Sequence, residues 1–292
     1  MAFRALFSFL LLFPGVSFAE ENGIFKGDSL APMGLVEAFQ NIPQGSIVVL
    51  GENHGFKVHQ TQHIAVLDTL RSLGHKVSVG LEFFTYTDQS LVEDYRAGRL
   101  SEADFLTAIR WGSPSYDFYR AQALYPNLGE GASTWALNAP RALTSKVAKT
   151  GLNSLSPEDA ALLPPNFTLG RESYRQRFLG MMPHLPSPEA GERYFAAQSI
   201  WDDTMAWRAE QFVATHPGQT LVIVVGEFHV QYGGGLPDRL RARLPHTKVV
   251  TLSQINSYGL SATELQNEMR PSNEYGPRAD LLWVAADKGP VQ

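Results

Sequence analysis

Short apolar runs alternate along the chain with longer stretches in which apolar residues return every three or four positions. Residues 47–50 and 221–225 are the most apolar of the short runs, and both are rich in Val and Ile. They are too short for helices and read as strands buried on both faces of a parallel sheet. Residues 77–82, 133–138 and 249–250 read as further strands, and 281–286 as an edge strand. Between them, 57–73 carries Val58, Ile64, Ala65, Leu67 and Leu70 at amphipathic helical spacing, with Gly74 as its stop. Helical patterns also cover 34–42, 85–127, 141–149, 171–182, 190–215 and 237–244. Pro157, Pro164 and Pro165 break 152–170 into a loop with a short helix. This alternation predicts an α/β fold: a mostly parallel central sheet flanked by helices, with a helical insertion (about 85–130 and 140–215) between the third and fourth core strands.

The two most apolar runs end alike. The first closes in Gly51-Glu52-Asn53-His54 and the second in Gly226-Glu227-Phe228-His229, 175 residues further on. A glycine there lets the backbone turn sharply as the strand stops. Open α/β sheets bind ligands outside the carboxyl ends of their strands, so both Glu-x-His pairs stand where a site is expected. The strand at 77–82 completes a βαβ unit with the first run. A right-handed crossover puts its terminal Glu82 at the same sheet edge as Glu52 and His54.

Composition narrows the class. Residues 1–19 have one early charge, Arg4, an apolar run over 5–13, and Ser17-Phe18-Ala19 at the end. This is the pattern of a secretory signal peptide rather than an N-terminal anchor, because the apolar run is too short to span a bilayer. The mature chain is then 20–292, expected as one domain in a periplasmic or secreted setting. Without Arg4 it carries 23 basic and 29 acidic side chains. That balance argues against nucleic acid and against an anionic membrane surface. No other run reaches transmembrane length. The chain has no Cys, which removes disulfides, thiolate metal sites and a lipidated cysteine.

Several residue sets can carry chemistry. His59 and His63 are four apart on the 57–73 helix and share a face, a spacing that suits two ligands to one metal ion, with His54 just before them. The bland alternative is a pair of surface histidines. Glu52, His54, Glu82, Glu227 and His229 at three strand ends can bind a divalent metal, through His54 and His229 above all, or work as acid and base. Their bland alternative is capping of neighbouring helices. The aromatic-rich helices permit a third reading. A flat apolar ligand such as haem needs aromatic walls, an axial Tyr or His, and cations for its carboxylates. Axial candidates are His54, His59, His229, Tyr86, Tyr116, Tyr119 and Tyr232. Arg141 and Arg239 are candidates for the propionates. Each aromatic taken singly is otherwise core. No phosphate loop, nucleophile elbow or dinucleotide fingerprint occurs.

Read together, these motifs have a precedent. Gly51-Glu52-Asn53-His54 with His59, Gly80-Leu81-Glu82 with Gln89, Trp111, Asn138-Ala139-Pro140-Arg141, Gln198, and Trp201-Asp202-Asp203-Thr204-Met205-Ala206 follow one another in order. Gly226-Glu227-Phe228-His229-Val230, Tyr232-Gly233, Gly235-Leu236-Pro237-Asp238-Arg239-Leu240 and Arg278-Ala279-Asp280 complete the set. The chain resembles the ChaN-type haem-binding uptake proteins, grouped with the Tiki/TraB and erythromycin-esterase-like proteins. The resemblance implies an exported α/β protein in haem or iron uptake, transport or storage, dimerising around haem and handing it to an uptake receptor or transporter. The hydrolytic relatives imply an alternative: a metal-dependent hydrolase built on Glu52, His54, Glu82, Glu227 and His229. A plain partner-binding exported domain is the third reading.

Overall fold

The computed structural model describes residues 22–182 and 184–289, so the expected signal peptide lies outside the described residues. Eight strands form the sheet: β1 (Gly23–Lys26), β2 (Pro32–Met33), β3 (Ile47–Glu52), β4 (Val77–Thr85), β5 (Thr134–Asn138), β6 (Thr220–Gly226), β7 (Val249–Asn256) and β8 (Leu281–Ala285). Their order across the sheet is β2-β1-β8-β7-β3-β6-β4-β5. The six strands from β3 to β8 are mutually parallel, and β1 and β2 add on antiparallel.

Every residue of β3 and of β6 is buried, as their unbroken apolar runs require. Side chains alternate between two layers. Val48, Leu50, Val222 and Val224 pack in one layer with Val66, Leu67 and Leu70 of the Lys57–Ser72 helix. Val49, Ile223 and Val225 pack in the other with Met205, Ala209 and Phe212 of the Pro188–Thr215 helix. Each such aliphatic side chain contributes about 1.5–3 kcal/mol by leaving water. The long helix starts where the sequence says it should: the Ser187 hydroxyl accepts the Ala190 N–H at 3.2 Å and Pro188 sits in the first turn. It stops before Pro217-Gly218, which cannot continue it.

Two expectations need correction. The strand at 281–285 is interior, because β1 and β2 pair along its outer side; the true edges are β2 and β5. The 85–127 stretch is several short helices, chiefly Gln89–Arg96, Glu102–Ala108 and Arg120–Leu124, rather than one helical run. The βαβ unit of β3 and β4 has β6 between its two parallel strands. That last point brings the second Gly-Glu-x-His stretch directly beside the first.

Candidate functional site

Neither glycine turns the chain. Gly51 and Gly226 both lie outside the left-handed region, and each provides space instead. A Cβ on Gly226 would stand 3.0 Å from Nε2 of His54, and a Cβ on Gly51 would stand 2.4 Å from Oε2 of Glu227. Each landmark's glycine makes room for a side chain of the other, so the two stretches interlock across the β3–β6 pairing.

Glu52 is the last residue of β3 and is buried. Its Oε1 accepts the Tyr119 hydroxyl at 2.6 Å and the His54 Nδ1–H at 2.9 Å. His54 is 40% exposed, the most open imidazole of the cluster. Its ring meets Phe83 edge-on at 4.9 Å, and Phe83 lies 3.9 Å from Tyr119 and 6.0 Å from Trp111. Its Nε2 is 4.0 Å from Glu82 Oε2, beyond hydrogen-bond range. Burial works to lower the His54 pKa, but the bond to Glu52 and the charge of Glu82 raise it above the ordinary value.

Glu82 bridges the two landmarks. Its Oε2 accepts the Gly226 N–H at 2.6 Å and its Oε1 lies 3.5 Å from His229 Nε2. On the other side of the imidazole, His229 Nδ1–H donates to Asp202 at 2.6 Å. Tyr174 donates to the second oxygen of Asp202 at 2.9 Å, and Gln198 donates to the Tyr174 hydroxyl at 3.0 Å. Burial alone would lower the His229 pKa, but Asp202 and Glu82 outweigh it and lift it to about 10. Burial likewise pushes Glu82 up, yet His229 holds it down at about 2. His229 is therefore a buried cation with both nitrogens spent.

Glu227 departs from the group. It opens a one-turn 3-10 helix, Glu227–His229, and its side chain goes to the opposite face of the sheet from Glu52. There Oε1 accepts from Ser253 at 2.5 Å and from Arg278 Nε at 3.0 Å. Burial raises its pKa, with Arg278 opposing. It is half of a buried ion pair, outside the cleft.

The other candidates divide by partner. The His59–His63 face points inward, not outward to a metal. His59 Nδ1 accepts the Asn53 N–H at 3.1 Å, and burial with His63 nearby drops its pKa to about 4. His63 donates to Gln254 at 2.7 Å and accepts from Gln122 at 3.2 Å. Tyr116 packs among Phe105, Trp111 and Tyr95 as core. Tyr119 is fully buried with its hydroxyl on Glu52, so it too is closed to a ligand. Tyr86 is half-buried and donates to the Leu162 carbonyl at 3.1 Å. Arg141 is exposed at the start of the helix that follows β5. Arg239 is committed to Asp238 and Thr168. Tyr232 lies away from this cluster, in a separate cleft with Arg171 and Arg241.

The divalent-metal expectation finds no support among the described residues. Among the described residues no three His, Asp or Glu side chains converge as a metal ion requires. His229 is held between Asp202 at 2.6 Å and Glu82 at 3.5 Å. Asp202, Tyr174, Ser253 and Arg278 carry the network without having been assigned a role from the residues. The readable signal was Asp202-Asp203 inside an apolar helical stretch, since a buried acid needs a partner.

Residues 38–240 match the family described as haem-binding uptake, Tiki superfamily, ChaN. The chain belongs to the ChaN family. The matched span holds both landmarks, Glu82, Asp202 and the long helix. Among solved structures, the chain is similar to ChaN of Campylobacter jejuni, described with cofacial haem binding, at 14% identity and a TM-score of 0.62, over 91% of this chain and 96% of that one. This likeness shows the ChaN-like fold. Weaker likenesses are to the type III effector HopBA1 (12% identity, TM-score 0.45, 87% and 94% covered) and to a mutant of the erythromycin esterase EreC (11%, 0.43, 92% and 84%). No curated protein matches the chain. No helix among the described residues is long and apolar enough to cross a membrane.

Proposed function

We propose that this ChaN-family protein binds haem at the carboxyl edge of its sheet, with His54 as the residue that would hold its iron. The observation that carries the residue assignment is the state of His54. Nδ1 is held on Glu52 at 2.9 Å and Nε2 comes no closer to a carboxylate than 4.0 Å, so on this 40% exposed imidazole Nε2 is the nitrogen that would bind iron, giving up its proton to do so. A metal-ligating histidine has this arrangement, its second nitrogen held by a carboxylate. Tyr119 in turn orients Glu52. Phe83 and Trp111 supply an aromatic wall beside the ring, and exposed Arg141 at the same edge is the cation for a propionate. Haem, once bound, supplies the redox-active iron; the chain's residues bind it, orient it and exclude water from one side. Burial of the macrocycle against aromatics gives most of the affinity.

Membership of a haem-binding uptake family supports this reading over hydrolysis. Export by the N-terminal segment, a single domain over 20–292, dimerisation over the open face of the haem, and delivery to an uptake receptor follow as parts of the same proposal. Hemin titration tests it. The expected result is a saturable, shifted Soret band near one haem per chain, with affinity at least tenfold weaker in His54→Ala and retained in Tyr86→Phe. A titration without a saturable band ends the haem reading. Unchanged binding in His54→Ala ends the ligand assignment.

A further inference from the structure

The Tyr232-Gly233 motif plays no part in the haem reading. It lines an open cleft of about 530 Å³ at the other end of the β6 turn, bounded also by the end of β1 and the start of β8. This volume is in the range of small-molecule sites. Three cations face it: Lys26, Arg171 and Arg241.

These cations are poorly neutralised. Arg241 comes no closer than 3.8 Å to Asp280, and Arg171 no closer than 4.0 Å to Asp238. Both carboxylates are engaged elsewhere. Asp280 accepts from the Thr251 N–H at 2.8 Å and from its hydroxyl at 2.9 Å, while Asp238 accepts from Arg239 at 2.9 Å. Lys26 has no ion pair among the described residues, and Asp28 is the remaining acid on the rim. The two guanidinium groups also converge. A Cβ on Gly233 would lie 3.5 Å from Arg241 Nη1 and 3.9 Å from Arg171 Nη2, so both guanidinium groups stand beside the same residue.

An aromatic wall completes the cleft. Tyr232 has φ of 60°, a left-handed conformation that costs a non-glycine residue energy. It is held there by its N–H on the Arg278 carbonyl at 2.7 Å and its own carbonyl on Arg171 at 2.7 Å. Its ring lies 5.7 Å from that of Tyr275, which lines the same cleft. Backbone strain of this kind is retained where a side chain must be presented in one place.

The geometry points to a second binding site, separate from the haem site, for a phosphomonoester carried on a flat ring. Two convergent guanidinium forks and an ammonium match a doubly charged tetrahedral oxyanion, and the tyrosine pair offers its ring a face. Isothermal titration of the purified protein with adenosine monophosphate, inorganic phosphate and uncharged adenosine tests this. Saturable binding of the monophosphate is expected, weaker binding of phosphate, and none of adenosine. Arg241→Gln and Lys26→Gln, both at exposed or half-exposed positions, should each weaken the monophosphate at least tenfold and fivefold respectively, with the thermal midpoint and the hemin spectrum unchanged. Absence of saturable monophosphate binding, adenosine binding equally well, or full binding in both variants overturns the site. Loss of hemin binding in the same variants overturns its independence and gives the cleft to haem. A failed hemin titration with intact monophosphate binding sinks the haem reading alone.

Discussion

The two Gly-Glu-x-His strand ends carry the same residues and do opposite things. At the first, the acid is a buried anchor and the imidazole is 40% exposed. At the second, the acid crosses to the other face of the sheet and the imidazole is a buried cation between two carboxylates. Register explains the difference. Gly51 pairs with Val225 and Glu52 with Gly226, so the second motif is displaced by one residue along the sheet. Because side chains alternate, one step reverses the face. β6 also ends at Gly226, and the backbone enters a tight turn before Glu227, whereas β3 runs on through Glu52. The lesson is that a motif at a strand end specifies chemistry only together with its register.

The largest effect should come from removing the buried cation. His229→Ala leaves buried Asp202 and largely buried Glu82 without a counter-charge. Breaking such a pair costs about 3–5 kcal/mol, read as a fall in the denaturation midpoint. Arg278→Ala should cost about as much by stranding Glu227 on the opposite face. If Arg278→Ala is silent, Glu227 is not held in a structural ion pair.

Acid and base should sharpen the same contrast. His229 is raised from 6.5 to about 10, so its stabilisation is complete below pH 6.5 and is lost as pH climbs through 10. Glu82 is depressed from 4.5 to about 2, so its share is present above pH 4.5 and is lost as pH falls through 2. Thermal midpoints should therefore be highest between those limits and decline on the alkaline side by an amount that His229→Ala abolishes. An alkaline slope that survives in the variant would assign it to other groups.

Much of this was readable in residues and some was not. The all-apolar runs at β3 and β6 have one stable home, the middle of a parallel sheet, and the structure puts them there. β1 and β2 were missed because four and two residues are too few to show a period. Tyr116 and Tyr119 sit three apart and are both buried; only the partner of the hydroxyl separates core from site, and Glu52 is 67 residues away in sequence. Glu227 was grouped with the cleft because composition cannot show register. Asp202 lies on the long helix, and its contact with His229 depends on how that helix packs, which no local pattern fixes.

The interlocking glycines give a smaller, asymmetric test. Gly51→Ala puts a methyl 2.4 Å from Glu227 Oε2 and 2.9 Å from Val230, both in the packed interior. Overpacking there should cost about 1–3 kcal/mol. Gly226→Ala meets the open His54 ring at 3.0 Å, and that ring can swing outward. Its stability cost should be smaller, while the hemin Soret band should shift because the imidazole has moved. Equal costs at the two positions would contradict the difference in packing.

The smallest change in stability should be His54→Ala. The ring gives up one hydrogen bond, to Glu52, and that carboxylate keeps the Tyr119 hydroxyl at 2.6 Å. A lost bond of this kind at a partly open position costs about 1 kcal/mol or less. The denaturation midpoint should barely move, yet hemin affinity should fall at least tenfold. This separation is what distinguishes a ligand from a structural imidazole. His229 is predicted to show the reverse pattern: a large loss of stability from a ring held between Asp202 and Glu82. A His54→Ala variant as unstable as His229→Ala would make the two landmarks equivalent after all, and the functional division between them would not stand.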